Sequence, residues 1–484
     1  MGSFILQRPV DIYWAPVFTA TVCCTGALFF FWKWRNKQNI QKIILNARKR
    51  RDISLQRAEQ AVQLFKSQNP GFESSTIVTL SLSELTAKLQ DGFLQPDTVL
   101  HAFIEKALEV NKTLNCSTEI LMESLEQLKV MSTQERGLLY GVPISIKENV
   151  GYKGHDSTCG VVSNLNDPAV GDSVVVAVLK KQGAIPFIKT NIPQGLLNYD
   201  CGNSIYGQTL NPSNLQKTPG GSSGGEGALI GGGGSILGLG TDIGGSVRIP
   251  SSFCGICGFK PTSKRLSLQG VNSCIKGQKS VLSSLGPLAR DVESLALCMK
   301  ALLCQEMFTL DPTVPPIPFN HEVYESTTPL KIGFYENDGY LQPSPSMSRA
   351  FRETKKLLER AGHTLIPFQP LRLYEVFHEF ILKGVMADGG ALTYTMLYNL
   401  LNFPAGSVPV SVVTEEDEEQ LQHYNFIHKD PLDKLFVEAV KGGVGLPVAV
   451  QCVSLPWQDE MCLRFMKEVE ELTAQNNLNL KRSF

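Results

Sequence analysis

Thirteen glycines fall between Gly220 and Gly245, within the run TPGGSSGGEGALIGGGGSILGLGTDIGGSVRIP from Thr218 to Pro250. They surround two serine sites, Ser222/Ser223 and Ser246. Glycine reaches backbone angles that other residues avoid, and it lets backbone N–H groups approach a ligand closely. A Gly-Gly-Ser turn can therefore aim several amides at one point, which is how an oxyanion hole is built beside a serine nucleophile. A flexible glycine/serine linker has a similar composition. A linker would not carry Ala228-Leu229-Ile230, Ile236-Leu237 and Thr241-Asp242-Ile243.

A second segment complements the first. In LLYGVPISIKENV, from Leu138 to Val150, the residues Val142, Ile144 and Ile146 alternate as in a short strand, and Lys147 stands at its end. Alone, such a lysine reads as a solvated charge at the rim of a sheet. With Gly-Gly-Ser-Ser-Gly-Gly downstream and Asp-Ile-Gly-Gly-Ser after it, the pattern resembles the amidase signature family of Ser-Ser-Lys amide hydrolases. The resemblance runs from about Leu80 to the C-terminal region. It is most specific in Gly141–Val150 and Thr218–Gly258.

The resemblance implies roles for individual residues. Ser246 matches the nucleophile, Ser222 the bridging serine that sits on a cis peptide bond, and Lys147 the base. The amides of Ile243, Gly244, Gly245 and Ser246 match the oxyanion hole. Asp242 and Arg248 match supports of that loop, and Ser223 a structural neighbour. No metal or cofactor is implied. The chemistry is coherent, because a serine hydroxyl is a weak nucleophile that needs an adjacent base. A lysine can serve if burial lowers its pKa from about 10.4 toward 7, since desolvation disfavours the ammonium. Ser222 would pass the Ser246 proton to Lys147 and return one to the leaving nitrogen.

Rival serine chemistries fit less well. Gly221-Ser222-Ser223-Gly224 loosely matches the G-x-S-x-G elbow of α/β-hydrolases, but that elbow must follow a buried strand. Here it follows the loop-like stretch from Asn211 to Pro219. Seven histidines leave a Ser-His-Asp triad conceivable, with His155 near the strand end the one in a suggestive setting. The glycine run is no phosphate loop, because no Gly-Lys-Ser/Thr closes it.

The 484 residues suit one large domain or two ordinary ones, and 43% apolar content supports a substantial core. A net charge of −1 gives no signal for nucleic-acid binding. Twelve cysteines are scattered, and Cys254-Gly-Ile-Cys257 is the one C-x-x-C, without the second pair of a zinc ribbon. They read as reduced, buried thiols of a cytosol-facing protein. Trp14 to Trp32 is nineteen residues without a charge. As a helix it spans about 28 Å, close to the hydrocarbon thickness of a bilayer. Lys33, Arg35, Lys37, Lys42 and Arg48 to Arg51 follow it, which orients the bulk of the chain toward the cytoplasm. The expected organisation is a tail over 1–13, a transmembrane anchor over 14–32, a basic juxtamembrane helical region over 33–75 and a catalytic domain over 76–484.

Within that domain Ser81-Leu-Ser-Glu84 is a capping box opening a helix through Leu89. Helices are expected at Pro96–Val110, Val174–Gln182, Ser346–Ala361 and Asp459–Thr473. Strands are expected at Gly183–Ile188, Leu330–Phe334, His363–Phe368 and Gly445–Cys452. Strands alternating with helices give an α/β fold. The resemblance makes it an amidase signature fold, a large mixed β-sheet core flanked by helices on both faces, with an N-terminal transmembrane helix.

Inside the family the similarity is greatest to the integral-membrane members that act on fatty acid amides. It is carried by the anchor and by the stretches Ser251–Pro261, Gly286–Ser294 and Leu446–Val453. Those members imply hydrolysis of long-chain fatty acid amides and N-acylethanolamines, a homodimer, and the endoplasmic reticulum or other internal membranes. An acyl channel would run near Leu196, Leu197, Phe377 and Trp457. The chain departs from the family where Met386–Gly390 runs directly into Ala391–Tyr398. Family members carry there a membrane-binding helical cap, further helices and a strand. Losing a strand exposes edge groups and core surface. The alternatives to an active hydrolase are therefore an impaired variant that only binds lipid or pairs with partners, and an amidase of another substrate class.

Overall fold

The computed structural model describes residues 14–131, 136–274, 277, 281–370, 393–424 and 431–476. Eight strands form one mixed sheet: β1 Ser117–Ile120, β2 Pro143–Lys147, β3 Ile185–Thr190, β4 Leu237–Asp242, β5 Cys257–Lys260, β6 Ser284–Ala289, β7 Ala405–Val412 and β8 Pro447–Val453. Their spatial order is β1-β3-β2-β4-β6-β5-β7-β8. β2 lies between β3 and β4 and is parallel to both, while β1 and all strands beyond β4 pair antiparallel. The expected α/β class and mixed sheet are what is observed.

β2 explains where the site sits. Its residues alternate as the sequence implied, yet all five are buried. A strand with parallel neighbours on both sides has helices over both faces. Ile144 and Ile146 face one side, and Ser145 and Lys147 the other. The polar face is covered by the helix Gly224–Gly231, which follows the Ser222/Ser223 turn.

The expected helices and strands of the catalytic part are present with shifts of a few residues at their ends. The capping box at Ser81 is formed, with Ser81 and Glu84 bonding each other's backbone N–H. Two departures matter. Lys331–Phe334 and Thr364–Pro367 pair with each other in a separate two-stranded sheet. β7, in contrast, is a fully internal strand that the sequence reading passed over, because Pro409 interrupts its pattern. The ladder to β8 shifts register between Pro409 and Ser411, the kind of irregularity that accommodates a proline inside a sheet.

The N-terminal region is one helix from Trp14 to Gln68. Its C-terminal half packs on the body through Ile44, Ala47, Ala58, Val62 and Phe65, all buried at helical spacing. Three of the arginines that follow the apolar segment also fasten the helix to the body. Arg48 donates to the Ile205 carbonyl at 2.6 Å, Arg50 to Asp156 at 2.6 Å and Arg51 to Asn115 at 3.2 Å. Every side chain from 27 to 42 is exposed. Among the described residues no helix is long and apolar enough to cross a membrane. The junction at 386–391 and Phe377 lie outside the described residues.

Candidate active site

Lys147 is wholly buried. Its Nζ lies 2.8 Å from Ser222 Oγ, 2.9 Å from Thr241 Oγ1 and 3.3 Å from the Thr241 carbonyl. Thr241 is on β4, and the parallel β2–β4 pairing brings it alongside the end of β2. Among the described residues no carboxylate is within ion-pair distance of Nζ. Burial lowers the Lys147 pKa to about 7, against the opposing pull of Asp242. The amine then has two hydrogens for Thr241 and a lone pair that can accept from the Ser222 hydroxyl.

Ser222 is buried and follows a cis Gly221–Ser222 peptide bond. Its neighbour Ser223 donates its backbone N–H to the Ser246 carbonyl at 3.1 Å, tying the first serine turn to the second. Ser246 itself is half-buried, and among the described residues no hydrogen bond reaches its hydroxyl. Catalytic hydrogen bonds commonly tighten only when substrate is bound.

The loop carrying Ser246 is organised by Asp242, whose carboxylate accepts from Gly245 N–H at 2.8 Å and Val247 N–H at 3.0 Å. Arg248 clamps the same carboxylate with Nε at 3.1 Å and Nη2 at 2.9 Å. Burial would raise the Asp242 pKa, but the Arg248 guanidinium beside it overrides this and holds the carboxyl well below the usual range. Asp242 thus ties Arg248 to the backbone on both sides of Ser246.

One assignment changes. Gly245 was placed among the oxyanion donors, but its N–H is already given to Asp242. The amides of Ile243, Gly244 and Ser246 have no acceptor among the described residues, so three donors remain rather than four. Gly245 is needed for shape instead. Its φ is +123°, and a Cβ there would lie 2.6 Å from Thr395 Oγ1.

Several participants were not legible beforehand. Thr395 Oγ1 donates to the Gly244 carbonyl at 2.5 Å, and Asn399 Nδ2 donates to Asp242 Oδ1 at 3.0 Å. Gln451 Oε1 accepts from Arg248 Nη1 at 2.7 Å. These residues come from far along the chain, and no local pattern marks them. Thr241 and Glu226, by contrast, lie within the glycine-rich run itself. Glu226 is wholly buried and contacts Ser145 Oγ at 2.5 Å and Thr190 Oγ1 at 2.8 Å. Burial raises its pKa to about 8, more than the two hydroxyls lower it.

The rival chemistries find no geometry. His155 gives both ring nitrogens to carboxylates, Glu119 at 2.8 Å and Glu123 at 3.1 Å. Ser222 follows a loop, not a buried strand. Leu197 and Trp457, candidates for an acyl channel, are 42% and 43% exposed.

Comparison with known proteins places this geometry in context. The Amidase family model matches residues 98–394. Fatty-acid amide hydrolase 1 of Sus scrofa is 43% identical over 563 aligned positions, covering 95% of this chain and 97% of the relative. That alignment is longer than the 484 residues of this chain, so the relative holds residues that this chain lacks. Vitamin D3 hydroxylase-associated protein of Gallus gallus is 54% identical over 389 positions, covering 80% of this chain and 84% of the relative. A solved structure of a fatty acid amide hydrolase superposes with a TM-score of 0.76 at 26% identity, covering 90% of this chain and 95% of that one.

Proposed function

Since this chain belongs to the amidase signature family of serine hydrolases, we propose that it hydrolyses long-chain fatty acid amides and N-acylethanolamines to free acid and amine or ammonia. The observation that carries the catalytic reading is the buried Lys147 amine, free of carboxylate partners and 2.8 Å from Ser222 Oγ. Neutral Lys147 accepts the Ser222 proton as Ser222 accepts that of Ser246. Ser246 Oγ then bonds to the amide carbon. The oxygen that becomes negative points at the Ile243, Gly244 and Ser246 amides. Ser222 returns a proton to the nitrogen as the C–N bond breaks, because an amine anion is a very poor leaving group. Water then releases the acid from Ser246 by the same groups.

The substrate class rests on the relatives' names and on the apolar N-terminal helix. Phe29, Phe30, Phe31, Trp32 and Trp34 are all more than half exposed there. The 14–32 segment inserts in an internal membrane such as the endoplasmic reticulum, with the catalytic domain on the cytoplasmic side. The active form is a homodimer, and we place the residues that the Sus scrofa protein has in addition near Gly390, where this chain departs from the family's pattern. Retained turnover without those residues would separate an active hydrolase from an impaired lipid-binding variant. The test is release of free fatty acid from a long-chain primary amide by the purified chain in detergent, beside Ser246→Ala. Turnover abolished by the substitution supports the reading. Absence of turnover from cooperatively folded wild type overturns it.

A further inference from the structure

Asn399 is buried on the helix Thr393–Leu400 and makes a bond to each member of the ion pair beneath the Ser246 loop. Its Nδ2 donates to Asp242 Oδ1 at 3.0 Å and to the Asp242 carbonyl at 3.3 Å. Its Oδ1 accepts from Arg248 Nη2 at 2.7 Å. Asp242 in turn accepts from the amides of Gly245 and Val247, the two residues flanking Ser246. A single side chain therefore fixes the carboxylate that fixes both shoulders of the serine.

The rest of the helix acts on the same loop. Thr395 Oγ1 donates to the Gly244 carbonyl, and the Thr395 carbonyl accepts from Arg248 Nη1 at 2.9 Å. Holding the Gly244 carbonyl sets the plane of the Gly244–Gly245 peptide, and with it where the neighbouring free amides point. The helix is itself tied to β8, because Gln451 Nε2 donates to the Tyr394 carbonyl at 2.8 Å. Backbone donors stabilise a developing oxyanion only if they are already aimed, and misplacement by about 1 Å costs on the order of a hundredfold.

We propose that Asn399 is a positioning residue for amide hydrolysis, holding Asp242 so that Ser246 and the Ile243, Gly244 and Ser246 amides keep their catalytic orientation. The inference deepens the proposed function and rests on Ser246 as nucleophile. The helix begins at Thr393, three residues beyond Gly390, so the proposal also names what any shortening near Gly390 must leave intact: this helix and its register against the Ser246 loop.

A buried asparagine with all its bonds made could equally be a core residue with no bearing on rate. Asn399→Leu separates the two. It keeps the branching and the number of side-chain heavy atoms, is somewhat bulkier, and removes both donor and acceptor without adding charge. Two readouts are taken on the full chain: kcat and KM for a long-chain primary amide, and amide hydrogen exchange across 242–248 compared with β1, β2 and β3. The proposal expects kcat to fall about tenfold to a hundredfold with KM little changed. It expects exchange to accelerate at Gly245 and Val247 while β1 to β3 stay protected. Unchanged exchange in the loop, or acceleration spread evenly over the sheet, overturns it. So does wild-type kcat in the variant. If wild type shows no turnover, the proposed function fails, and the exchange comparison alone still decides whether Asn399 holds the loop. Should Asn399→Leu fail to fold, Asn399→Ser carries the same comparison with a smaller polar side chain.

Discussion

Arg248 and Lys147 are buried in neighbouring parts of one site, and they are solvated in opposite ways. Arg248 has carboxylate oxygens at 2.9 and 3.1 Å and neutral acceptors from Thr395, Asn399 and Gln451. Lys147 has two hydroxyls and one carbonyl. A buried cation with a bidentate carboxylate stays charged, and its neighbours are fixed around it. A buried amine with only neutral partners loses its proton instead. The region around Arg248 is a scaffold, and the region around Lys147 is a place where a proton can move. Exchanging those environments would leave a mobile loop and a base that cannot accept.

The largest effect should come from removing the amine. Lys147→Ala is expected to lower amide turnover about a thousandfold, within the range for loss of a general base. Turnover of a matched ester should fall much less, because an alkoxide leaves without needing the second proton. Equal losses on both substrates would contradict the relay. The same residue makes an opposite prediction for stability. Its pKa falls from 10.5 unfolded to about 7 folded. Above 10.5 both states are neutral and burial carries no protonation penalty. As pH falls from 10.5 to 7 the unfolded chain gains a proton that the folded chain refuses, so stability drops, on the order of 5 kcal/mol in all. Lys147→Met should abolish that slope and be no less stable than wild type at neutral pH. A urea titration from pH 7 to 10 measures it.

Arg248→Met should do the reverse. Asp242 would remain buried without its counter-charge, at a cost of about 3–5 kcal/mol. The urea midpoint should fall well below that of Lys147→Met. Stability equal to wild type would mean that the Asp242–Arg248 pair is not the scaffold described.

Much of the scaffold was readable in the sequence, and much was not. Lys147, Ser222 and Ser246 could be picked out because the strand end and the two glycine-rich turns together resemble the family's pattern; the lysine alone reads as a charge at the rim of a sheet. The capping box at Ser81 was visible from its local spacing. Asn399, Thr395 and Gln451 leave no such trace, since their role exists only once β7, β8 and the 393–400 helix close against the loop. Gly245 was misassigned because a sequence gives the number of amides in a turn but not which way each faces. β7 was passed over because its proline breaks the strand pattern that its bulge accommodates. The contacts of Arg48, Arg50 and Arg51 with the body were not readable, because nothing local distinguishes a solvated arginine from one that reaches a carbonyl 157 residues away.

The smallest expected effect sharpens the comparison from a third group. Glu226, raised to about 8 by burial, is mostly the neutral acid at pH 7, and among the described residues its hydrogen bonds go to Ser145 and Thr190 and not to Lys147. Glu226→Gln keeps that charge state and should leave amide turnover close to wild type. Because the folded pKa is raised from 4.5, its contribution to stability is fully present below 4.5 and is lost as pH rises through about 8. The variant should therefore lose less stability than wild type between pH 5 and 9. Collapse of turnover at pH 7 would mean that Glu226 works as an anion or a proton carrier.

The central claim is that Lys147 is a neutral base near pH 7, and the pH dependence of Ser246 acylation tests it directly. A fluorophosphonate label that reports attack by Ser246 would be followed from pH 5 to 10 in wild type and in Lys147→Ala. The account predicts a rate that rises through a single transition near pH 7 and then levels, with that transition missing from the variant. A wild-type rate that is flat through pH 7 and climbs only toward 10 would contradict it.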